Sequence, residues 1–295
     1  MLADRYTRTV KLVLTREALP RVQWFDEIGS TNAAMRELVD TEGAAVPHGT
    51  LIATANQTAG RGRQGRGWVT PPGTALASSV LVRGFGLQQA SHLDEDRALP
   101  ASWLPLLAGS AVATALRPCF AAHPELRVGV KWPNDVHVRD EDDAIAGRPG
   151  AKLAGILCEV LAPDAIVVGV GINLLVPDWQ LPTERAGSVL ACGGDVDGAE
   201  SLGDDAGQSL ADRVLSSYAV ELLRLVRLGR GEPDRARTRV LRDSLTIGSE
   251  VRVHLPGGEM VDGRAVGLDE SGALLVDRPT TGQLVVNAAD VEHLR

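Results

Sequence analysis

Three arginines are interleaved with glycines in one short stretch of the chain, Arg61-Gly62-Arg63-Gln64-Gly65-Arg66-Gly67-Trp68. Glycine lets the backbone approach a ligand closely and permits positive φ. Arginine presents a planar fork of donors that matches carboxylate and phosphate oxygens. Such a loop can enclose a small anion with backbone N–H groups and guanidinium groups together. A flexible, solvated basic loop has the same composition, and the stretch alone does not decide between the two interpretations.

Further segments carry polar side chains at spacings that suit a binding site, although each also has a simpler structural interpretation as a helix cap or a turn. A lysine that opens an apolar strand is either a snorkelling surface charge or a cation directed into a pocket. Glycines at a strand end indicate that a ligand or a second backbone packs closely there. The segments are Gly29-Ser30-Thr31-Asn32, Asn56-Gln57, Lys131-Trp132-Pro133-Asn134-Asp135, Lys152 to Glu159, and Gly169-Val170-Gly171-Ile172-Asn173.

Predicted helices and strands must position these segments. Helices are predicted over residues 33–39, 103–116 and 210–228, the last with apolar residues at three- and four-residue steps. Residues 140–150 are acidic and then glycine-rich, which predicts an exposed turn. Strands are predicted over residues 21–27, 50–55, 74–82, 128–132, 136–138, 152–161 and 165–175, the last two joined by a Pro-Asp hairpin signal.

The pattern changes after Gly248. Short strands are predicted over residues 250–255, 260–268, 273–277 and 283–286, and glycine-containing turns separate them. This spacing is typical of a small β-barrel. We therefore place a boundary near Thr246, which divides the chain into a mixed α/β domain over residues 1–245 and a β module over residues 246–295.

Composition limits the classes of protein to consider. The chain has 295 residues and a net charge of −8, which argues against a broad nucleic-acid-binding surface. Cys119, Cys158 and Cys192 lie far apart and suit a reducing cytoplasm better than a disulfide framework. Residues 1–14 contain no apolar run of a signal peptide, and no stretch approaches the roughly 20 apolar residues of a membrane span. We expect a cytoplasmic protein that binds neither membrane nor DNA.

Taken together, the segments resemble the biotin protein ligase family. The matching residues are GSTN at 29–32, Gln57, GRGRQGRGW at 60–68, KWPND at 131–135, KLAGILCE at 152–159 and GVGIN at 169–173. The resemblance implies a mixed β-sheet flanked by helices, similar to class II aminoacyl-tRNA synthetases, followed by a C-terminal SH3-like β-barrel. Fewer than thirty residues precede Ser30, so we expect the short form of the family, without an N-terminal DNA-binding domain.

The resemblance also implies an activity. The family joins biotin to the α-phosphate of ATP as biotinyl-5′-AMP, and then transfers biotin to a lysine of a biotin carboxyl carrier domain of acetyl-CoA or acyl-CoA carboxylase. The first step brings two anions together and needs cations where charge develops. Mg²⁺ on the ATP phosphates would share this task, and we expect no tightly bound metal and assign no metal ligands. A monomer or a weak homodimer is expected.

Residue roles follow from the same resemblance. Lys152, Asp135 and Arg63 are the implied catalytic residues. Trp68 and Trp132 either form pocket walls or stack on a ligand. Implied biotin-binding residues are Ser30, Thr31, Asn32, Gln57, Gly60, Arg61, Gly62, Arg63 and Lys152, and implied ATP- or adenylate-binding residues are Arg61, Arg63, Arg66, Trp68, Lys131, Asn134 and Asn173.

Two other functions remain open at this point. A lipoate-type protein ligase would share the fold and chemistry, but lipoate has no ureido ring. The polar side chains of Ser30, Thr31 and Gln57 would then be left unpaired, at about 1–3 kcal/mol each. A non-enzymatic biotin sensor is the second alternative, and the presence of Lys152, Asp135 and the arginines argues against it.

Overall fold

The computed structural model describes residues 10–86, 98–255, 258–279, 281–287 and 290–294. Most of the segment that we interpreted as lacking a signal peptide, residues 1–9, lies outside this part of the chain. The strands of the main domain are β1 (Val22–Phe25), β2 (Leu51–Thr54), β3 (Gly60–Arg61), β4 (Gly67–Trp68), β5 (Ala75–Arg83), β6 (Arg127–Lys131), β7 (Asp135–Arg139), β8 (Ala151–Ala162) and β9 (Ala165–Asn173).

Seven of these strands form one mixed sheet in the order β1-β2-β5-β9-β8-β7-β6, and β3 and β4 form a separate two-stranded hairpin. The pairing of β1 with β2 is parallel, whereas the other neighbours are antiparallel. Strand β5 is central, and eight of its nine residues are buried. Such burial fits a strand that is covered on both faces, and the two serines in its middle, Ser78 and Ser79, have hydrogen-bond partners there.

The α-helices are α1 (Val13–Ala18), α2 (Thr31–Glu42), α3 (Leu104–Leu116), α4 (Glu141–Ile145), α5 (Asp205–Gly231) and α6 (Pro233–Asp243). Short 3-10 turns occur at Gly43–Ala45, Arg63–Gly65, Ala101–Trp103, Arg117–Phe120 and Asp178–Gln180. Within the described residues, no helix combines the length and the apolar character that crossing a membrane would require.

The two faces of the sheet have different neighbours because successive side chains of a strand point to opposite faces. Met35 and Val39 of α2 pack with Ile52, Leu81 and Val167 on one face. Helices α3 and α5 belong to the large core on the opposite face, together with alternate residues of the same strands. Along β8 and β9 the α2 face carries three glycines, with Gly155 opposite Gly171 in the strand register and Gly169 two residues earlier in β9. This face therefore has room for a ligand.

The prediction of an exposed turn over residues 140–150 was wrong in part, since α4 occupies its first half. The Asp140 carboxylate accepts a hydrogen bond from the Asp143 N–H at 2.6 Å, and three acidic residues fill the first turn of the helix. Capping of this kind and the favourable placement of negative charge at a helix N-terminus explain why the segment is helical.

The C-terminal residues form a five-stranded antiparallel sheet in the order β13-β12-β11-β10-β14. The mixed sheet with its flanking helices and this small β module confirm the predicted fold class, although β14 and helix α6 were not foreseen. The strands are β10 (Glu250–His254), β11 (Met260–Leu268), β12 (Leu274–Arg278), β13 (Gly282–Val286) and β14 (Asp290–His293).

Hydrogen bonds join the β module to the main domain next to the turn between β6 and β7. The Trp132 indole donates to the Gly272 carbonyl at 3.1 Å, and the Lys131 ammonium donates to the Val291 carbonyl at 2.8 Å. The Trp103 indole donates to the Glu270 carbonyl at 2.8 Å. The turn that follows β6 is thus held from both domains.

Candidate active site

A cleft of about 1350 Å³ opens on the α2 face of the sheet. It collects residues that are far apart in the sequence, and all but one of the residues assigned above to catalysis, biotin binding or ATP binding line it. The exception is Gly60, which is buried behind the cleft wall where a Cβ would lie 2.3 Å from the Trp68 carbonyl oxygen and 2.5 Å from Gln57 Nε2. The lining residues predicted from the sequence are Ser30, Thr31, Asn32, Gln57, Arg61, Gly62, Arg63, Arg66, Trp68, Lys131, Asn134, Asp135, Lys152 and Asn173.

A β-bulge places Lys152 in this cleft. Val136 pairs with Ala154, but His137 pairs with Lys152, so Leu153 is the extra residue of β8. A bulge re-aims the side chains that follow it. Leu153 is consequently fully buried in the large core, while the Lys152 side chain, which an uninterrupted ladder would send to the other face, reaches the cleft.

The Lys152 ammonium lies 2.7 Å from Asp135 Oδ1. Burial alone would raise the pKa of the Asp135 carboxyl, but the neighbouring His137 imidazole and the charge of Lys152 outweigh burial and lower this pKa to about 2. Burial also lowers the pKa of His137, whose Nδ1 lies 3.2 Å from the Gly150 carbonyl. At neutral pH the Asp135 carboxylate beside Lys152 is therefore ionised.

The hairpin of β3 and β4 carries the stretch Arg61 to Trp68, which we call the arginine loop. Its turn is closed by a hydrogen bond from the Gly62 N–H to the Arg66 carbonyl at 2.7 Å. Gln64 and Gly65 have φ of 56° and 74°, a conformation that glycine adopts freely and other residues seldom adopt. Arg63 is half-buried and donates to Asn134 Oδ1 at 3.0 Å, which connects the loop to the β6–β7 turn.

The Trp68 indole lies over the glycines of β8 and β9. A Cβ on Gly171 would approach Trp68 Cε2 to 2.4 Å, and one on Gly155 would approach Trp68 Cζ3 to 3.0 Å. The Lys152 ammonium is 5.8 Å from the centre of the Trp68 ring, within the range of a cation–π contact. These strands need glycine here because an aromatic ring is packed directly on their backbone.

Polar side chains around the start of α2 form a second part of the cleft, which we call the polar network and which consists of Thr31, Asn32, Gln57, Ser79 and Glu159. Thr31, Asn32 and Ser79 are buried, whereas Gln57 and Glu159 are partly exposed. Gln57 Oε1 accepts from the Thr31 N–H at 2.9 Å, and Ser79 Oγ lies 2.8 Å from Thr31 Oγ1 and 2.7 Å from Asn32 Oδ1. Asn32 Nδ2 donates to Glu159 Oε2 at 2.6 Å. Ser30 precedes the network as the N-cap of α2, with its Oγ accepting from the Ala33 N–H.

The predicted nucleotide-site residues differ in how their polar atoms are used. Asn134 Nδ2 donates to the Ile156 carbonyl at 2.8 Å, and Asn173 Nδ2 donates to the Gly187 carbonyl at 2.8 Å. Asn173 Oδ1 is buried and accepts no hydrogen bond from the described part of the chain. The ammonium of Lys131 contacts the Val291 carbonyl of the β module as well as lining the cleft.

The expectation that Trp132 would be a pocket wall or a stacking group was wrong. Trp132 is 3% exposed, does not line the cleft, and packs at the junction with the β module through its bond to Gly272. Sequence reasoning also missed Ser79, Glu159, His137 and His293, which lie in strands at or beside the cleft. Their only signal is the face on which strand alternation places them, and that cannot be assigned before the sheet order is known.

Acidic and histidine side chains do line the cleft, but in the residues that the structure describes no group of three or more His, Cys, Asp or Glu side chains is arranged to hold a metal ion. The described cysteines, Cys119, Cys158 and Cys192, are free.

Comparison with known proteins finds similar sequences and a similar fold. The family model described as "Biotin/lipoate A/B protein ligase family" matches residues 25–173, and the model described as "Biotin protein ligase C terminal domain" matches residues 246–294. The chain is 37% identical over 273 residues to the biotin–[acetyl-CoA-carboxylase] ligase of Mycobacterium tuberculosis, covering 91% of this chain and 87% of that protein. It is 31% identical to the enzyme of the same name from Paracoccus denitrificans, covering 81% and 88%.

A solved structure of biotin protein ligase from Aquifex aeolicus in complex with biotin and ATP has the same fold, with a TM-score of 0.63 and 23% identity over 93% of this chain and all of that one. The two family models and the relatives above 30% identity identify a protein of the ligase class. The chain belongs to the biotin protein ligase family.

Proposed function

We propose that the protein activates biotin with ATP to form biotinyl-5′-AMP and then transfers biotin to a lysine of a carboxylase carrier domain. One observation carries this proposal: the half-buried cations Arg63 and Lys152 face the same cleft as the polar network. Biotin has a carboxylate at one end and a polar ureido ring at the other. The cleft offers a matching group for each end.

The first half-reaction forms a bond between the biotin carboxylate and the α-phosphorus of ATP and releases pyrophosphate. Both reactants are anions, so approach is unfavourable without nearby positive charge. Lys152 and Arg63 are proposed to contact the carboxylate and the α-phosphate, while Arg61 and Arg66 face the remaining phosphates from the exposed side of the loop. Fixed cations in a site shielded from water stabilise charge as it develops in the transition state.

The polar network is proposed to bind the biotin head. A ureido group has one carbonyl acceptor and two N–H donors, and the network supplies donors and acceptors of both kinds through Thr31 and Gln57. Ser30, Asn32 and the backbone of Gly62 complete this end, with Gly60 making room for Gln57.

The nucleotide is proposed to lie between Trp68 and Asn173. The unpaired acceptor Asn173 Oδ1 suits an exocyclic amino group such as that of adenine. Asn134 and Lys131 border the same region from the β6–β7 turn. Mg²⁺ is proposed to arrive with ATP as part of the substrate, because this ion is usually bound through substrate phosphates and one or two carboxylates. Asp135 is proposed as a carboxylate that contacts this ion.

Transfer of biotin requires an incoming lysine amine to attack the carbonyl of the mixed anhydride, with AMP as the leaving group. Asp135 is proposed to orient this amine, since its carboxylate is ionised and already holds one ammonium group. The acceptor is proposed to be the biotin carboxyl carrier domain of an acetyl-CoA or acyl-CoA carboxylase.

We further propose that the protein is cytoplasmic and acts as a monomer or weak homodimer without binding DNA. We also propose that the chain is divided into two domains, over residues 1–245 and 246–295.

Biotin-dependent exchange of labelled pyrophosphate into ATP tests the first half-reaction. We expect exchange with biotin and none with lipoate, because lipoate leaves the polar network unpaired. Adding a biotin carboxyl carrier domain and measuring biotin incorporation tests the second half-reaction. Exchange with lipoate alone would assign the protein to the other branch of the family, and tight biotin binding without exchange would indicate a sensor.

A further inference from the structure

Glu159 lies at the partly exposed end of the polar network, with 35% of its side chain exposed, and does not reach Thr31 or Gln57 directly. Its Oε2 accepts from Asn32 Nδ2 at 2.6 Å, and its Oε1 accepts from Arg36 Nη2 at 3.0 Å. Asn32 is 8% exposed and Ser79 is fully buried. Each hydrogen bond in such a closed set determines the direction of the next one.

The direction of the set can be followed from the carboxylate. Because an ionised carboxylate only accepts, Asn32 must turn its NH₂ group towards Glu159, and the second N–H of that group points to the Leu157 carbonyl at 3.3 Å. Asn32 Oδ1 therefore faces Ser79. A lone-pair contact between two oxygens at 2.7 Å would be repulsive, so the single hydroxyl proton of Ser79 is donated to Asn32.

The direction of the Ser79 hydroxyl affects the cleft because it determines how Thr31, which lines the cleft, forms its hydrogen bonds. Thr31 Oγ1 lies 2.8 Å from Ser79 Oγ and 3.2 Å from Gln57 Oε1. Since the Ser79 proton is used on Asn32, we infer that Thr31 gives its single proton to Ser79, which is the shorter of the two contacts. The lone pairs of Thr31 Oγ1 are then left to accept from a ligand. Gln57 Oε1 is already held by the Thr31 N–H at 2.9 Å, which leaves Gln57 Nε2 as a donor.

We propose that Glu159 is a positioning residue that sets the donor and acceptor directions of the biotin-head pocket, by fixing the Asn32 amide and, through Ser79, the Thr31 hydroxyl. The proposal rests on the proposed function, because it takes the ligand to be a cyclic urea. In this arrangement Thr31 Oγ1 accepts a hydrogen bond from a ligand N–H, and the Gln57 amide donates one to a ligand carbonyl.

Glu159→Gln tests the direction of the set without changing its size. Arg36 only donates, so it holds the oxygen of the introduced amide, and the NH₂ group of that amide faces Asn32. Either two NH₂ groups then meet, or the Asn32 amide turns over and its oxygen faces the Leu157 carbonyl. A turned Asn32 donates to Ser79, Ser79 donates to Thr31, and Thr31 loses an acceptor lone pair. We expect biotin to bind roughly 10- to 100-fold more weakly.

The double variant Glu159→Gln/Arg36→Met provides the control. Without Arg36, the introduced amide is free to turn its oxygen to Asn32 and restore the original directions, so biotin affinity should recover at least several-fold over the single variant. Arg36→Met alone should change biotin affinity less than Glu159→Gln does. The KM for ATP and the kcat of pyrophosphate exchange at saturating biotin should stay within about threefold of the original, because the network touches only the biotin head.

The measurements are biotin titration calorimetry and pyrophosphate exchange, with thermal melts of every variant. Unchanged biotin affinity in Glu159→Gln would overturn the proposal. A parallel loss of kcat, ATP affinity and biotin affinity that the double variant does not relieve would also overturn it, as a general structural defect. Failure of the unaltered protein to bind biotin would instead overturn the proposed function, so the two failures are distinguishable.

Discussion

The two ends of the cleft are built in opposite ways. In the polar network, Thr31, Asn32 and Ser79 are almost fully buried and bonded to one another. In the arginine loop, Arg61 and Arg66 are exposed on a two-stranded hairpin that lies outside the main sheet. A neutral ureido ring is recognised by hydrogen bonds that must be oriented beforehand. We propose that the exposed arginines of the loop can change position to neutralise the anionic groups of the substrates during the reaction. We therefore distinguish a preformed polar network for the ureido ring from an adaptable arginine loop for the charged groups.

Removal of Lys152 should have the largest effect, because Lys152 contributes charge from the rigid sheet rather than from the loop. We expect Lys152→Ala to reduce adenylate formation about 100- to 1000-fold while the protein stays folded. Pyrophosphate release with biotin and ATP measures this loss. Lys11→Ala removes an exposed lysine outside the cleft and serves as the matched control. A rate equal to that of the unaltered protein would remove Lys152 from the reaction centre.

Two glycines of one strand provide a direct test of the comparison. A Cβ on Gly169 would lie 2.3 Å from Asn32 Oδ1, within the polar network. Asn32 has no free space to retreat into, so Gly169→Ala should weaken biotin binding by about 10-fold or more through overpacking that costs about 1–3 kcal/mol. Biotin titration of the variant measures the loss. An affinity unchanged by this methyl group would show that the network is not rigid.

Gly171→Ala adds the same methyl group two residues further along β9, where it would meet Trp68 at 2.4 Å. Trp68 belongs to the exposed hairpin and can move away, so we expect a smaller loss of biotin affinity than in Gly169→Ala. Amide hydrogen exchange of residues 60–68 should become faster in this variant as the indole leaves the sheet. An effect on biotin equal to that of Gly169→Ala would contradict the division of the cleft into two parts.

Ligand binding should slow amide exchange unequally in the two regions. Glycines permit motion and neighbouring arginines repel one another, so residues 60–68 should exchange quickly in the free protein and more slowly with biotin and ATP bound. The backbone amide of Ser79, which is paired inside the sheet, should exchange slowly in both states. Equal protection of the loop with and without ligands would refute the adaptable role.

A smaller, pH-dependent effect is expected at the domain junction. Burial lowers the pKa of His293 to about 3, and the charges of Lys131 and Arg139 add to the decrease. Between about pH 6.5 and 3 the unfolded chain therefore binds a proton at this residue that the folded chain does not bind, so stability falls as pH decreases through this window. In urea unfolding, the midpoint concentration of His293→Gln should fall less steeply than that of the unaltered protein as pH decreases from about 7 to 4.5. An identical slope would exclude His293 as the source.

Local patterns in the sequence were sufficient for much of this molecule. The apolar run of α3 and the alternation within the β module are signals that neighbouring residues carry by themselves, and the arginine loop was recognised from its spacing. Helix α6 was missed because it buries only Ala236, Val240 and Asp243 among charged residues, which leaves almost no apolar periodicity. Its stability comes from packing against α3 and α5.

The site was harder to predict wherever its geometry depends on distant strands. Glu159 reaches Asn32 from 127 residues away, and Trp132 binds a carbonyl 140 residues further along the chain. Neither partner has a local signature. The bulge at Leu153 also has no sequence signature. Leu153 and Lys152 both fit an ordinary strand, and only the pairing with β7 reveals the extra residue.

The bond from Trp132 to Gly272 has a consequence for biosynthesis. The turn that presents Asn134 and Asp135 is supported by backbone carbonyls that are translated at least 140 residues after it. A nascent chain that has already completed the seven-stranded sheet still has that turn unsupported on one side. The support of this turn by the C-terminal sheet therefore becomes possible only after the strands that carry the other cleft residues have been synthesised.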